Sequence, residues 1–117
     1  MILRLLVLME LIMHAYRITM EAILPPIEDA DAPNLQITVT NHDDLFKIVE
    51  AVRSKNFMDA DKAAALALGL KLFSEVALEK RHDTLFAPMI EPLKQCVREL
   101  KAVPINTRSV LLQEVGE

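Results

Sequence analysis

The chain is poor in the residues that most enzyme signatures need. Its 117 residues include two glycines, one cysteine, one tyrosine and no tryptophan. Loops that cradle a phosphate need several glycines so that backbone amides can approach the ligand, and nucleotide sites of the P-loop or dinucleotide kind are therefore excluded. The serines, Ser54, Ser74 and Ser109, stand in no context typical of a nucleophilic serine.

The single cysteine, Cys96, excludes an intrachain disulfide and a metal site built from several thiolates. It shares helical spacing with Leu93, Val97 and Leu100, so we expect a buried and unreactive thiol. Isolated cysteines are typical of reducing compartments, so we expect a cytoplasmic protein. We also expect no cofactor.

Clustered basic residues are scarce as well. Thirteen Lys and Arg against seventeen Asp and Glu give a formal net charge of −4. The basic groups, Lys80-Arg81-His82 and the stripe of Lys94, Arg98 and Lys101, are interleaved with acidic residues. Binding to nucleic acid needs cations clustered against phosphates, so we predict solvated helix surfaces and no nucleic-acid partner.

Long apolar runs are missing except at the start, where eleven of the first 13 residues are hydrophobic. This run is shorter than the roughly 20 apolar residues that cross a bilayer. Glu10 interrupts it and no signal-peptide cleavage site follows. Three interpretations stay open: an extra strand or helix, an interfacial anchor, or upstream sequence from a start codon set too early. We favour the last, with Met9 or Met13 as the start, so that residues 1–13 form an apolar N-terminal extension.

Two stretches alternate with the period of half-buried strands. The first runs from His14 to Leu24 and is stopped by Pro25-Pro26, and the second runs from Leu35 to Thr40. Apolar residues fall on even positions of the first and odd positions of the second. A loop of about ten residues separates them, longer than a tight hairpin turn. The pattern predicts an antiparallel hairpin.

Two helices with clear starts are predicted next. Apolar spacing places the first after Asn41, with Asn41 as its N-cap and Asp43 and Asp44 in its first turn. The second runs from the N-cap Asp59 to about Lys80. Because it is apolar on nearly every side, we expect it to be central to the core.

A third helix is predicted from about Leu85 to Ala102, with a break or late start near Pro92. Within the second helix, Gly69 follows Ala65 by one turn, and these small residues predict a surface for close backbone packing.

One polar cluster stands out, the run Asn41-His42-Asp43-Asp44 at the junction of the second strand and the first helix. An imidazole and two carboxylates can support general acid/base chemistry or hold a divalent cation. The structural alternative is that Asn41 caps the helix, the aspartates complement its dipole and His42 is exposed. We take these four residues as the candidate functional cluster and assign no catalytic, cofactor-binding or metal-ligating residue.

With these elements placed, the sequence resembles a small bacterial family catalogued as a domain of unknown function, number thirty-eight sixty-one. The resemblance extends over roughly residues 14–101, and its most specific pieces are NHDDLF and ALGLKLFSEV. It is carried by four segments: YRITME (16–21), TNHDDLFKIVEAVRSKN (40–56), AALALGLKLFSEVALEKR (64–81) and LFAPM (85–89).

The family has no assigned activity, so the resemblance implies none for this chain. The Asn41 to Asp44 motif belongs to the resemblance, but the family gives it no known role. The family pattern begins close to the YRIT strand. Residues 1–12 therefore depart from it, and the tail over residues 103–117 also lies outside it.

The sequence predicts a single α+β domain over residues 14–102, in which an antiparallel β-hairpin packs against three α-helices. A two-stranded sheet is marginal alone, so we expect further strands from a second copy, the C-terminal tail or the N-terminal segment. A homodimer is the simplest of these solutions. We expect a small cytoplasmic interaction or regulatory module, without catalytic activity and with a protein partner. The alternative is a small-molecule or metal-binding protein, or an enzyme, centred on the Asn41 to Asp44 motif.

Overall fold

The structure, a computed structural model, describes residues 13–24 and 33–105. The predicted α+β class, with an antiparallel two-stranded hairpin and three helices, is confirmed. The elements, in chain order, are β1 (His14–Glu21), β2 (Asn34–Asn41), α1 (Leu45–Arg53), α2 (Ala60–Glu79), a 3-10 turn (Ala87–Met89) and α3 (Ile90–Ala102).

The chain divides between Asp43 and Asp44 into two compact units, one holding the hairpin and the other the helices. We describe each by itself. Apart from Met13 and residues 103–105, the N-terminal extension and the C-terminal tail expected from the sequence lie outside the described residues. Of the helices in the described ranges, none has the length and hydropathy needed to cross a membrane.

The hairpin has the face pattern that its alternation predicts. Tyr16 lies opposite Val39 and Ile18 opposite Ile37, so the apolar residues of both strands share one face. The last pair of the ladder joins Glu21 to Asn34, and β1 therefore ends three residues before the predicted boundary. Proline has no backbone N–H to donate, and the residue before Asn34 is a proline, so the ladder stops there.

The first helix begins later than predicted, because its N-cap is Asp44 and not Asn41. The Asp44 carboxylate accepts hydrogen bonds from the backbone N–H groups of Phe46 at 3.0 Å and Lys47 at 3.3 Å. Asn41 is instead the last residue of β2, where it pairs with His14. The prediction that Asn41 caps the helix is wrong because its backbone already belongs to the strand ladder.

The helical unit is built around a thin core of small side chains. On α2, Ala63 and Ala67 are each 1% exposed, and they pack against Val52 of α1. Ile48, Val49 and Leu100 pack around this centre while staying partly exposed. Small side chains let the helix backbones approach closely, but each buries little apolar area. Among the described residues, no large side chain is completely buried.

The boundaries of α2 match the prediction. Asp59 is its N-cap and accepts from the backbone N–H groups of Asp61 at 3.1 Å and Lys62 at 3.3 Å, and Lys80 is its C-cap. Helix α3 begins at Ile90, so that Pro92 falls in the first turn, where a missing N–H costs nothing. This agrees with the predicted late start.

Cys96 is exposed, and the prediction of a buried thiol is wrong. The apolar residues of α3, Leu93, Val97 and Leu100, are only half-buried. Cys96 lies one step outside this narrow stripe, where shared helical spacing is not enough to bury it.

The Asp44 cap leads to a measurable expectation. Replacing it (Asp44→Ala) removes the acceptor of two first-turn amides and should lower the free energy of unfolding by about 1 kcal/mol. Urea denaturation followed by circular dichroism measures the change. Glu50→Ala, at an exposed position of the same helix, should change it by less than about 0.5 kcal/mol. Equal effects of the two substitutions would contradict a capping role.

Candidate functional site

The predicted functional cluster, Asn41 to Asp44, forms the connection between β2 and α1. Asn41 is a buried polar residue, 2% exposed, and its Oδ1 accepts a hydrogen bond from the backbone N–H of Asp43 at 2.9 Å. The Tyr16 hydroxyl donates to the carbonyl oxygen of Asp43 at 3.2 Å. Within the hairpin unit, Asn41 and Tyr16 therefore hold the turn that follows β2.

The four side chains of the motif have different tasks. Asn41 orders the turn and Asp44 caps α1. His42 is exposed and Asp43 is half-buried. Over residues 13–24 and 33–105, no three His, Cys, Asp or Glu side chains converge in a way that would hold a metal ion. Asn41 and Asp44 thus have structural roles, with Asp44 rather than Asn41 as the cap of α1.

A second surface, which the sequence reading placed in the core, lies on α2. Leu66, Phe73 and Val76 are 40%, 46% and 50% exposed. Gly69 lies between them at helical spacing, and a Cβ built at this position would meet no atom within 4 Å. We call Leu66, Gly69, Phe73 and Val76 the α2 stripe. Within the helical unit nothing packs closely on Gly69, so the close packing predicted there is wrong for this unit.

Charged residues of opposite sign mark the two ends of this helix. The N-terminal end carries Asp59 and Asp61, and the residues following the C-terminal end begin with Lys80 and Arg81. Asp61 lies 4.0 Å from the Arg53 guanidinium, and its side chain is 98% exposed. Lys62 at the first end and Glu79 at the second partly offset these charges. The only sequence signal for the α2 stripe is that α2 is apolar on nearly every side, whereas a single core covers one side.

The described residues define a small α+β domain, a hairpin followed by three helices, in which Asn41 orders a turn and Asp44 caps a helix. Residues 14–102 match the family described as a domain of unknown function with a solved structure, DUF3861. This is most of the chain, which therefore belongs to that family. The resemblance seen in the sequence is confirmed.

One solved structure extends the comparison. A crystal structure of a protein of unknown function from Pectobacterium atrosepticum is 33% identical to the chain, with a TM-score of 0.64. The similarity covers 75% of this chain and 95% of that one. No curated protein matches the chain. Neither the family nor this relative has an assigned activity, so the function of the chain is unknown.

Proposed function

We propose that this chain is a small interaction module without catalytic activity, and that it acts as a homodimer in which the α2 stripe is the contact surface. The observation that carries the proposal is the exposure of Leu66, Phe73 and Val76 along one side of an apolar helix. Large contiguous apolar patches on a protein surface mark interaction sites. A helix that is apolar on all sides is normally covered on all sides.

The spacing of the α2 stripe fits a second copy of the same helix. If two α2 helices pair antiparallel about a two-fold axis between Gly69 and Leu70, Leu66 of each copy lies opposite Phe73 of the other. Both contacts form at once, because a two-fold axis repeats each contact. Gly69 lies at the crossing point, where the absence of a side chain allows close approach of the backbones.

One charged pair fits the same register. An antiparallel arrangement about this axis brings Asp59 of one α2 opposite Lys80 of the other. The helix dipoles also oppose each other favourably in this orientation. A parallel arrangement would place like charges together. Electrostatic complementarity of this kind selects orientation and partner more than it adds affinity.

The test is the oligomeric state of two matched phenylalanine variants. Phe73→Glu places a charge in the proposed contact and should raise the dimer dissociation constant by a factor of ten or more, since aromatic contacts dominate interface energies. Phe46→Glu is the control, because Phe46 lies on α1 and is 77% exposed. Light scattering at micromolar concentration should show a dimer for the parent and for Phe46→Glu, and a monomer for Phe73→Glu.

A charge reversal gives a second arm to this test. Lys80→Glu should weaken the dimer, because it places a carboxylate opposite Asp59 of the other helix. A parent protein that is monomeric at these concentrations would refute the proposal. A dimer that Phe73→Glu leaves intact would move the contact elsewhere, for instance to the edges of the two-stranded sheet.

We also propose that the protein is bacterial and cytoplasmic. Cys96 is the one cysteine of the sequence and is exposed, as fits a reducing compartment. The similar protein from Pectobacterium atrosepticum supports a bacterial origin. We also retain the single α+β domain over residues 14–102 as a proposal.

The alternative, a metal or small-molecule site at Asn41, His42, Asp43 and Asp44, stays a prediction. Its support is the chemistry of the side chains, an imidazole beside two carboxylates. Titration of the protein with Zn²⁺ or Mn²⁺ tests it. Saturable binding that His42→Ala abolishes would favour this alternative over the structural interpretation.

A further inference from the structure

A cavity of about 330 Å³ opens between α2 and α3 of the helical unit. This volume lies at the small end of the range in which proteins hold small organic ligands, roughly 300–1,000 Å³. None of the residues around it belongs to the α2 stripe, so the cavity is separate from the proposed dimer contact. Its apolar wall is formed by four aliphatic side chains, Leu78, Ile90, Leu93 and Val97.

An unsatisfied polar group lies in the wall of this cavity. Ser74 lines it, and the Ser74 Oγ is buried without a hydrogen-bond partner in the described chain. A buried hydroxyl that bonds to nothing costs about 1–3 kcal/mol of stability. Such groups are rare in folded proteins and require an explanation. The Oγ atom itself has almost no accessible surface, so a molecule in the cavity would reach this hydroxyl only after the serine side chain turned toward it.

Three positively charged side chains, Lys71, Lys94 and Arg98, complete the lining. The Lys94 ammonium group lies 3.6 Å from the Glu91 carboxylate, which partly offsets its charge. Arg98 donates to the Gln95 amide oxygen at 2.7 Å. In residues 13–24 and 33–105, no carboxylate forms an ion pair with Arg98. Its guanidinium therefore has donors and charge for an incoming anion, and a carboxylate matches its planar geometry.

We propose that this cavity binds an amphipathic monocarboxylate, an aliphatic acid of medium length. The hydrocarbon chain would lie against the four aliphatic side chains. The carboxylate would face Arg98, and the Ser74 side chain would turn so that its hydroxyl donates to one of the carboxylate oxygens. The aliphatic wall selects an apolar chain, and one arginine without a carboxylate partner favours a single negative charge over several.

Isothermal titration calorimetry on the whole chain, with octanoate as the probe, tests this assignment. We expect saturable binding with one octanoate per chain. Acetate has the charge without the chain, and 1-octanol has the chain without the charge, so both should bind at least tenfold more weakly. If 1-octanol binds as tightly as octanoate, the cationic part of the assignment is wrong. If octanoate does not bind at millimolar concentration, the whole assignment is refuted.

Two variants distinguish this site from general attraction of an anion. Arg98→Gln should weaken octanoate binding about tenfold, because it removes a charged hydrogen-bond donor. Lys47→Gln removes the same charge from an exposed position on α1 and should leave binding unchanged. Equal losses in the two variants would refute the site, because general attraction would then explain the binding.

Ser74→Ala provides a readout that a purely structural serine would not give. It should raise the thermal midpoint of the unliganded protein, because an unsatisfied buried hydroxyl is removed. It should also weaken octanoate binding several-fold. A variant that unfolds more easily, or that binds octanoate as well as the parent, would contradict the role given to this hydroxyl.

Discussion

Replacing Ala67 with glutamate is expected to lower the free energy of unfolding by at least about 3 kcal/mol, the cost of an unpaired charge in an apolar interior. Ala67 is 1% exposed and packs with Val52 and Ala63 where α1 meets α2. The side chains that pack around Ala67 are apolar, so a carboxylate placed among them would lose much of its hydration. Since a typical domain has only about 5–15 kcal/mol of stability, a loss of this size should move unfolding to a much lower urea concentration.

The matched control for this prediction is Ala51→Glu. Ala51 is an exposed alanine on α1, so the same added charge stays in water and should cost less than about 0.5 kcal/mol. Circular dichroism during urea denaturation measures both variants. If Ala67→Glu unfolds at the same urea concentration as Ala51→Glu, the contact between α1 and α2 is not the core of this unit.

Replacing Lys55 with methionine is expected to lower the free energy of unfolding by about 2 kcal/mol, because hydrogen bonds from a charged donor contribute about 1.5–3 kcal/mol. The Lys55 ammonium group donates to the carbonyl oxygens of Lys101 at 3.1 Å and Val103 at 2.6 Å. These carbonyls lie in the last turn of α3 and directly after it, where helices leave acceptors unpaired. Lys55 thereby joins the segment after α1 to the end of α3.

Methionine keeps most of the apolar stem of Lys55, so this substitution isolates the ammonium group. Hydrogen exchange should be faster for the amides of the last α3 turn, with little change at the start of α2. Lys47→Met is the control, at an exposed position of α1, and should leave both stability and exchange unchanged. Uniformly faster exchange along the whole unit would show that Lys55 has no local effect on α3.

Much of the secondary structure follows from local patterns. Alternation placed Tyr16 and Ile18 on one face of β1, and the register confirms that face. The limits of α2 were predicted from a capping Asp59 and from the polar residues beginning at Lys80. These signals are local, because strand periodicity and helix caps depend on residues a few positions apart.

The site was less predictable, because two capping residues compete within one short segment. Asn41 and Asp44 are both good N-caps by residue type. What decides between them is the pairing of Asn41 with His14, 27 residues earlier in the chain, which keeps Asn41 in β2. The Tyr16 hydroxyl, which donates to the Asp43 carbonyl oxygen, is a contact of the same long-range kind.

The scarcity of glycine and cysteine was sufficient by itself to exclude phosphate-binding loops and an intrachain disulfide, and residue spacing was sufficient to place two strands and three helices. Only the tertiary structure decided which side of each helix is covered. It left Phe73 and Cys96 exposed and opened the cavity beside Ser74. The physical reason is that spacing defines a helix face, whereas burial depends on what another segment places against that face. Helix α2 is apolar on nearly every side, so its own pattern could not distinguish its covered side from its open one.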